Sequence, residues 1–143
     1  MDVNTILSIK GRSVATIEPD RTLGEAAKLL SEKRIGALLV SSGKEPVTGI
    51  ISERDIVRAI SAHGPGSLEQ PLARFMTEKV VTCNGRTAIV DIMAVMTEGK
   101  FRHIPVIENG AVAGIISIGD VVKHRLAEIE AETQAIKDYI ATA

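Results

Sequence analysis

Hydrophobic and polar positions along this chain switch between a strand-like and a helical period, and the same succession of switches occurs twice. In the first succession, Val14 to Ile17 is a short extended run punctuated by Pro19-Asp20. Leu23, Ala26, Ala27 and Leu30 then recur at helical spacing behind a Thr22 N-cap, with Glu25 placed to complete a capping box. Gly36 to Val40 and Val47 to Ile51 are continuous apolar runs around a Ser-Ser-Gly turn, the pattern of strands buried on both faces. Ser52 caps the helix predicted from Glu53 to about Ala62. The second succession predicts a strand at Val80 to Thr82, a helix at Ala88 to Glu98, strands at His103 to Ile107 and Val112 to Ile116, and a helix from Ile118 onward. Its two later strands flank Asn109-Gly110, the dipeptide that tolerates both left-handed positions of a tight hairpin.

The two successions are an internal repeat. Val14-Ala-Thr16 superposes on Val80-Val-Thr82, and the same offset pairs Glu32 with Glu98 and Val40 with Val106. The offset falls by one residue in the turn between the paired strands, where a single deletion is tolerated. Beyond it Gly49-Ile-Ile-Ser52 repeats as Gly114-Ile-Ile-Ser117, Asp55 matches Asp120 and Val57 matches Val122. Residues 63 to 71 form a Gly/Pro-rich linker between the copies. A copy of about 60 residues is marginal alone, so the two are expected to pack against each other with approximate twofold symmetry.

Composition removes several function classes. The 143 residues are 45% hydrophobic and 24% charged with a formal net charge of −1, which describes a globular chain without the basic excess that nucleic acid or an anionic membrane requires. Three aromatic residues, Phe75, Phe101 and Tyr139, leave little with which to stack single-stranded bases. Cys83 is the one cysteine, excluding an intrachain disulfide or a zinc site built on several thiolates. A reducing compartment, the lack of an apolar run near the roughly 18 to 20 residues that span a bilayer, and an N-terminus unlike a signal peptide together predict a cytoplasmic location. No phosphate-binding loop or nucleophile elbow occurs, and His63, His103 and His124 lack metal-ligand spacing, so the chain is read as a non-enzyme. Cys83 aligns with Ile17, the place of a small buried hydrophobe rather than a nucleophile.

Chemistry concentrates at the last strand-to-helix junction of each copy. Ser52 and Ser117 stand where a helix N-terminus presents unpaired N–H groups and partial positive charge, a site suited to phosphate. Asp55 and Asp120 lie one turn in, where a carboxylate can accept hydrogen bonds from both hydroxyls of a ribose. The plain alternative is a capping box that only starts a helix. Both copies carry Asp at a position where such a box prefers Glu or Gln, and that favours ligand binding.

The order of elements, the twice-repeated Gly-Ile-Ile-Ser-x-x-Asp motif and His103-Ile-Pro-Val106 resemble a tandem pair of CBS domains, a Bateman module, over residues 6 to 128. The resemblance implies an α/β (α+β) fold of two tandem β-α-β-β-α repeats with pseudo-twofold symmetry, one over 6–65 and one over 72–128, followed by a helical extension over 129–143. It further implies an adenine-nucleotide sensor taking AMP, ADP, ATP or NAD(H) in clefts between the copies. Carried over by position, Thr16, Ala37, Ser52 and Asp55 become ligand-binding residues in one copy, and Thr82, His103, Ser117 and Asp120 in the other. Phosphate charge falls to Arg54, Arg102 or His103, with Lys10 and Arg12 as further cations from the N-terminal segment. Each of these has a plain reading too: Arg54 and Arg102 as solvated surface cations, His103 as a buried, hydrogen-bonded histidine.

The last helix outlasts the repeat. Val122, Leu126, Ile129, Thr133, Ile136 and Ile140 form a 4-3 stripe over about three heptads, read as a homodimer contact. Two functions are therefore expected in order: a sensor that signals to a separate effector protein, and alternatively an architectural interaction and dimerisation module without a physiological nucleotide.

Overall fold

The structure, a computed structural model, describes residues 1–142 and divides into two compact units, one of residues 13–81 with 109–112 and one of residues 1–12, 82–108 and 113 onward. The first unit holds a three-stranded sheet in the order β1 (Thr16–Ile17), β2 (Ala37–Val40), β3 (Gly49–Ser52). β1 runs parallel to β2, with Thr16 opposite Leu39 and Ile17 opposite Val40, while β3 runs antiparallel with Ala37 opposite Ser52. Only the central strand is buried at every position. β3 alternates between buried and half-buried residues, so the continuous apolar run that predicts burial on both faces is met for β2 and halved for β3.

Helices α2 (Leu23–Lys33) and α3 (Glu53–His63) cover this sheet. Thr22 accepts a hydrogen bond from the Glu25 amide at 3.1 Å, the cap expected from the sequence, and α2 ends on Arg34 in the left-handed region. Leu23, Leu30, Leu38, Val40, Ile51 and Ile56 form the centre of the core. The 63–71 segment is more than a connector. It carries one 3-10 turn, Pro65–Glu69, and runs on into a second, Leu72–Arg74. Leu72 is fully buried, and bonds from the Leu23 amide to the Gln70 carbonyl (2.9 Å) and from the Leu72 amide to the Arg21 carbonyl (2.8 Å) stitch the segment to the start of α2.

The second unit is completed by an element that hydrophobic periodicity did not single out, α1 (Val3–Lys10). Asp2 caps it by accepting from the Thr5 amide, and Gly11, at φ +99°, ends it. Val3, Ile6 and Leu7, one helical stripe, enter the core that Ile89, Ile92, Met96, Ile104, Val106, Ile116 and Val121 supply. The Val3 amide donates to the Thr87 carbonyl and the Ile89 amide to the Met1 carbonyl, so α1 meets the start of α4 (Ile89–Gly99) as the 70–72 segment meets the start of α2.

β4 (His103–Glu108) and β5 (Ala111–Ser117) form the hairpin, with Asn109 and Gly110 both at positive φ as an Asn-Gly turn requires. The strand expected at Val80 to Thr82 does not form. It is reduced to one parallel bridge between Cys83 and Val106. Pro105 explains the loss. In the first unit the Leu39 amide donates to the Ala15 carbonyl, and Pro105, which stands at the position of Leu39, has no N–H to offer Val81. The next rung survives, with the Ile107 amide donating to the Cys83 carbonyl at 2.8 Å where Ser41 donates to Ile17 in the first unit.

Glycine has the same task in both sheets. A Cβ on Gly49 would lie 2.7 Å from Met76 Sδ and 2.9 Å from the Thr77 carbonyl oxygen, and one on Gly114 would lie 2.6 Å from Leu7 Cδ2. Each glycine lets the segment that completes its unit lie directly on the strand. The chain closes with α5 (Ile118–Thr142), whose Val121 and His124 are buried. No described helix is long and apolar enough to cross a membrane.

Candidate functional site

Each unit brings a strand directly into a helix at the repeated motif. In the first, the β3 residue Ser52 is the N-cap of α3 and Asp55 is its third residue. The Ser52 amide and hydroxyl both donate to Asp55 Oδ2, at 2.9 and 3.0 Å, and the Asp55 amide donates back to Ser52 Oγ at 3.3 Å. In the second, the Ser117 amide and hydroxyl donate to Asp120 Oδ2 at 2.9 Å each, and the Asp120 amide donates to Ser117 Oγ at 3.2 Å. The aspartates therefore form working capping boxes, the reciprocal arrangement usually made by Glu or Gln. Aspartate, one methylene shorter, holds its carboxylate tight against the first turn.

The backbone behind each junction is also duplicated. The Glu53 amide donates to the Gly36 carbonyl at 3.0 Å, and the Ile118 amide to the Arg102 carbonyl at 2.8 Å. Ala37, opposite Ser52 on β2, is buried, as is Asp55, and the two lie at one end of the sheet. Arg54 is exposed on the first turn of α3, and Arg58 Nη1 lies 3.5 Å from Asp55 Oδ1. Thr16, exposed on β1, is two rungs further along the sheet opposite Leu39, so it belongs to the same end only through β2. In the second unit His103, the first residue of β4, takes the position of Ala37 and is half-buried, and Arg102 is exposed beside it. Thr82 lies in the irregular stretch that the missing rung leaves, one residue before the Cys83 bridge.

The junctions differ in charge. Lys10, the last residue of α1, donates from Nζ to Asp120 Oδ2 at 2.6 Å and to the Ile115 carbonyl at 2.9 Å. Burial alone would raise the Asp120 carboxyl, but the hydrogen bonds from Lys10 and Ser117, with the Lys10 charge, outweigh it and hold the group below the usual aspartate range. Arg12 is not at the junction; its guanidinium lies 3.4 Å from Asn4 Oδ1. The reach of Lys10 depends on α1, which sequence reading did not place, and a helix cap at Asp2 with apolar residues at 3, 6 and 7 was the signal available.

Cys83 lies against the second core, where burial and then the nearby Glu108 carboxylate push its thiol up to about 11. A thiol so disfavoured as thiolate is no nucleophile near neutral pH, which agrees with its reading as a small hydrophobe. Among the described residues no cluster of three or more His, Cys, Asp or Glu is placed to hold a metal ion.

Against known proteins, a family model for the CBS domain matches residues 8–62 and again 72–127. The mitochondrial CBS domain-containing protein CBSX3 of Arabidopsis thaliana is 33% identical over 146 residues, spanning 96% of this chain and 71% of that protein. The crystal structure of a CBS-domain containing protein from Agrobacterium tumefaciens is 47% identical, covers 87% of this chain and 99% of its own, and superposes with a TM-score of 0.85. A CBS domain pair solved in complex with 5′-methylthioadenosine and S-adenosyl-L-methionine covers 90% of this chain and 98% of its own at a TM-score of 0.78; with 22% identity, that likeness is one of fold. Two family matches in series, each containing a strand-to-helix junction with the same hydrogen bonds, place this chain in the CBS-domain family as a pair of CBS domains.

Proposed function

We propose that the chain is a regulatory module that binds an adenine nucleotide, AMP, ADP, ATP or NAD(H), at its Ser-x-x-Asp junctions and relays the binding to a separate effector protein. One observation carries the reading: two aspartates, each oriented by its own serine through the same three hydrogen bonds. The serine donors hold Oδ2 in both copies, and Lys10 adds a third donor to Oδ2 of Asp120, so the acceptor capacity left for the hydroxyls of a ribose lies on Oδ1, which at Asp55 also faces Arg58 at 3.5 Å. Phosphates require cations, which Arg54 and Arg58 supply near Asp55, and Lys10 and Arg102 near Asp120, where His103 adds a ring hydrogen-bonding group. That a CBS pair of the same fold was solved with two adenosine compounds supports the adenosine class.

Ala37 and His103 separate the two junctions further. A methyl group stands opposite Ser52 where the second copy carries an imidazole, so the two junctions differ in chemistry beside their aspartates. A ligand that binds one relative arrangement of a protein better than another shifts the population toward it, which is how such a module signals without catalysis.

The test is thermal unfolding of the whole chain with AMP, ADP, ATP, NAD, NADH, GTP and S-adenosylmethionine, followed by calorimetry on Asp55→Asn and Asp120→Asn. A ligand at about 100 times its Kd adds about 2.7 kcal/mol, a shift of several degrees. The expected result is stabilisation by adenosine compounds and not GTP, with at least a roughly tenfold loss of affinity in one Asn variant, the value of one charge-assisted hydrogen bond. No shift with any compound overturns the nucleotide reading and leaves the interaction module.

A further inference from the structure

Beyond its first turn, α5 turns an apolar stripe outward. Val122, Leu126, Ile129, Ile136 and Ile140 are all exposed, from 42% at Val122 to 67% at Ile140. The helix anchors itself with the opposite face: Val121 and His124 are the residues it buries. Setting Leu126, Thr133 and Ile140 at heptad position a puts Val122, Ile129 and Ile136 at d, and Val121 and His124 at c and f, away from the seam. The stripe thus faces away from the unit that holds the helix, over about 27 Å from Val122 to Ile140.

The flanking charges select what covers it. Position g carries Arg125 and Glu132, and position e carries Lys123, Glu130 and Lys137. In a parallel, in-register pair a g residue faces the e residue of the partner helix five positions on. Arg125 then meets Glu130, and Glu132 meets Lys137, each twice by symmetry. In the antiparallel pair of full overlap, g faces g and e faces e. Glu130 would then meet Glu130, Glu132 would meet Glu132, and Lys123 would meet Lys137, all like charges. We infer that α5 is a homodimerisation helix that pairs with α5 of a second copy as a parallel two-stranded coiled coil, with Thr133 beside its own counterpart in the seam. The pairing is independent of whether the junctions bind nucleotide.

Sedimentation of the whole chain between about 5 and 100 µM, a range that brackets weak dimers, is the first measurement. A concentration-dependent dimer is expected. Ile129→Asp should weaken it at least about tenfold, while the thermal midpoint of the diluted monomer stays unchanged because Ile129 lies outside both cores. Glu132→Lys should weaken association about threefold to tenfold, and adding Lys137→Glu to the same chain should restore it, since both partners are then reversed. Orientation is read from Cys83→Ala/Thr133→Cys, which forms an interchain disulfide on mild oxidation only if the two copies of residue 133 face each other. A monomer at about 100 µM overturns the inference, as does a dimer indifferent to Ile129→Asp. Failure of Thr133→Cys to couple to itself while coupling to Ile129→Cys would make the pair antiparallel and equally overturn it.

Discussion

The two junctions share one hydrogen-bond pattern and differ in what neutralises the carboxylate. Asp55 is buried beside an arginine of its own helix, with Arg58 3.5 Å away, whereas Asp120 is 23% exposed and bound at 2.6 Å by Lys10, from a helix more than a hundred residues earlier in the chain. A local motif thus fixed the geometry twice, and a long-range ion pair made one copy electrostatically distinct. The lesson extends to the units themselves. Each is completed by a segment from outside its β-α-β-β-α succession, a pair of 3-10 turns in one and α1 in the other; α1 lies over Gly114, and Met76-Thr77, which follow the turns, lie over Gly49.

The sharpest way to break the comparison is to remove the α1 contribution. Leu7→Ala deletes a fully buried side chain at Gly114 and should cost about 3 kcal/mol, shifting the thermal midpoint by several degrees or more. Because α1 belongs to the unit of the second repeat, hydrogen exchange should rise there, at α4 and β4, before it rises at β2. Equal loss of protection in both units would sink the assignment of α1 to one of them.

The ion pair comes next. A carboxyl held below its unfolded value binds its proton less readily when folded, so the contribution of Asp120 is present above the ordinary aspartate range and is lost as pH falls through the depressed folded value. Lys10→Ala should cost about 1 kcal/mol at pH 7 and progressively less as pH falls from the ordinary aspartate range through the depressed folded value, below which the partner is neutral. Denaturant titrations of wild type and Lys10→Ala across that range give the difference directly. A loss that does not diminish at low pH would show that Lys10 acts through the packing of its stem instead of its charge.

The smallest effect sharpens a similarity. α2 and α4 both end on a non-glycine residue in the left-handed region, Arg34 at φ 54° and Lys100 at φ 56°, at matching places in the repeat. Arg34→Gly relieves that conformation and should stabilise by about 0.5 kcal/mol after the greater freedom of glycine in the unfolded chain is subtracted. A destabilisation would mean that contacts of the Arg34 side chain outweigh its backbone strain.

Local rules account for most of what the sequence determined. Period, caps and the Asn-Gly turn placed α2 to α5 and all five strands of the structure to within about two residues, because those signals act between near neighbours in the chain. The repeat made the Ser-x-x-Asp junctions visible as a pair, since the same local chemistry recurs at a fixed offset. What escaped was non-local. The strand expected at Val80 to Thr82 fails because its partner carries Pro105, α1 is stable only on a core formed by residues from 89 onward, and Lys10 meets Asp120 only once α1 is in place. Periodicity states which face of an element is apolar; which other segment covers it, and which charge arrives with that segment, is settled by tertiary packing alone.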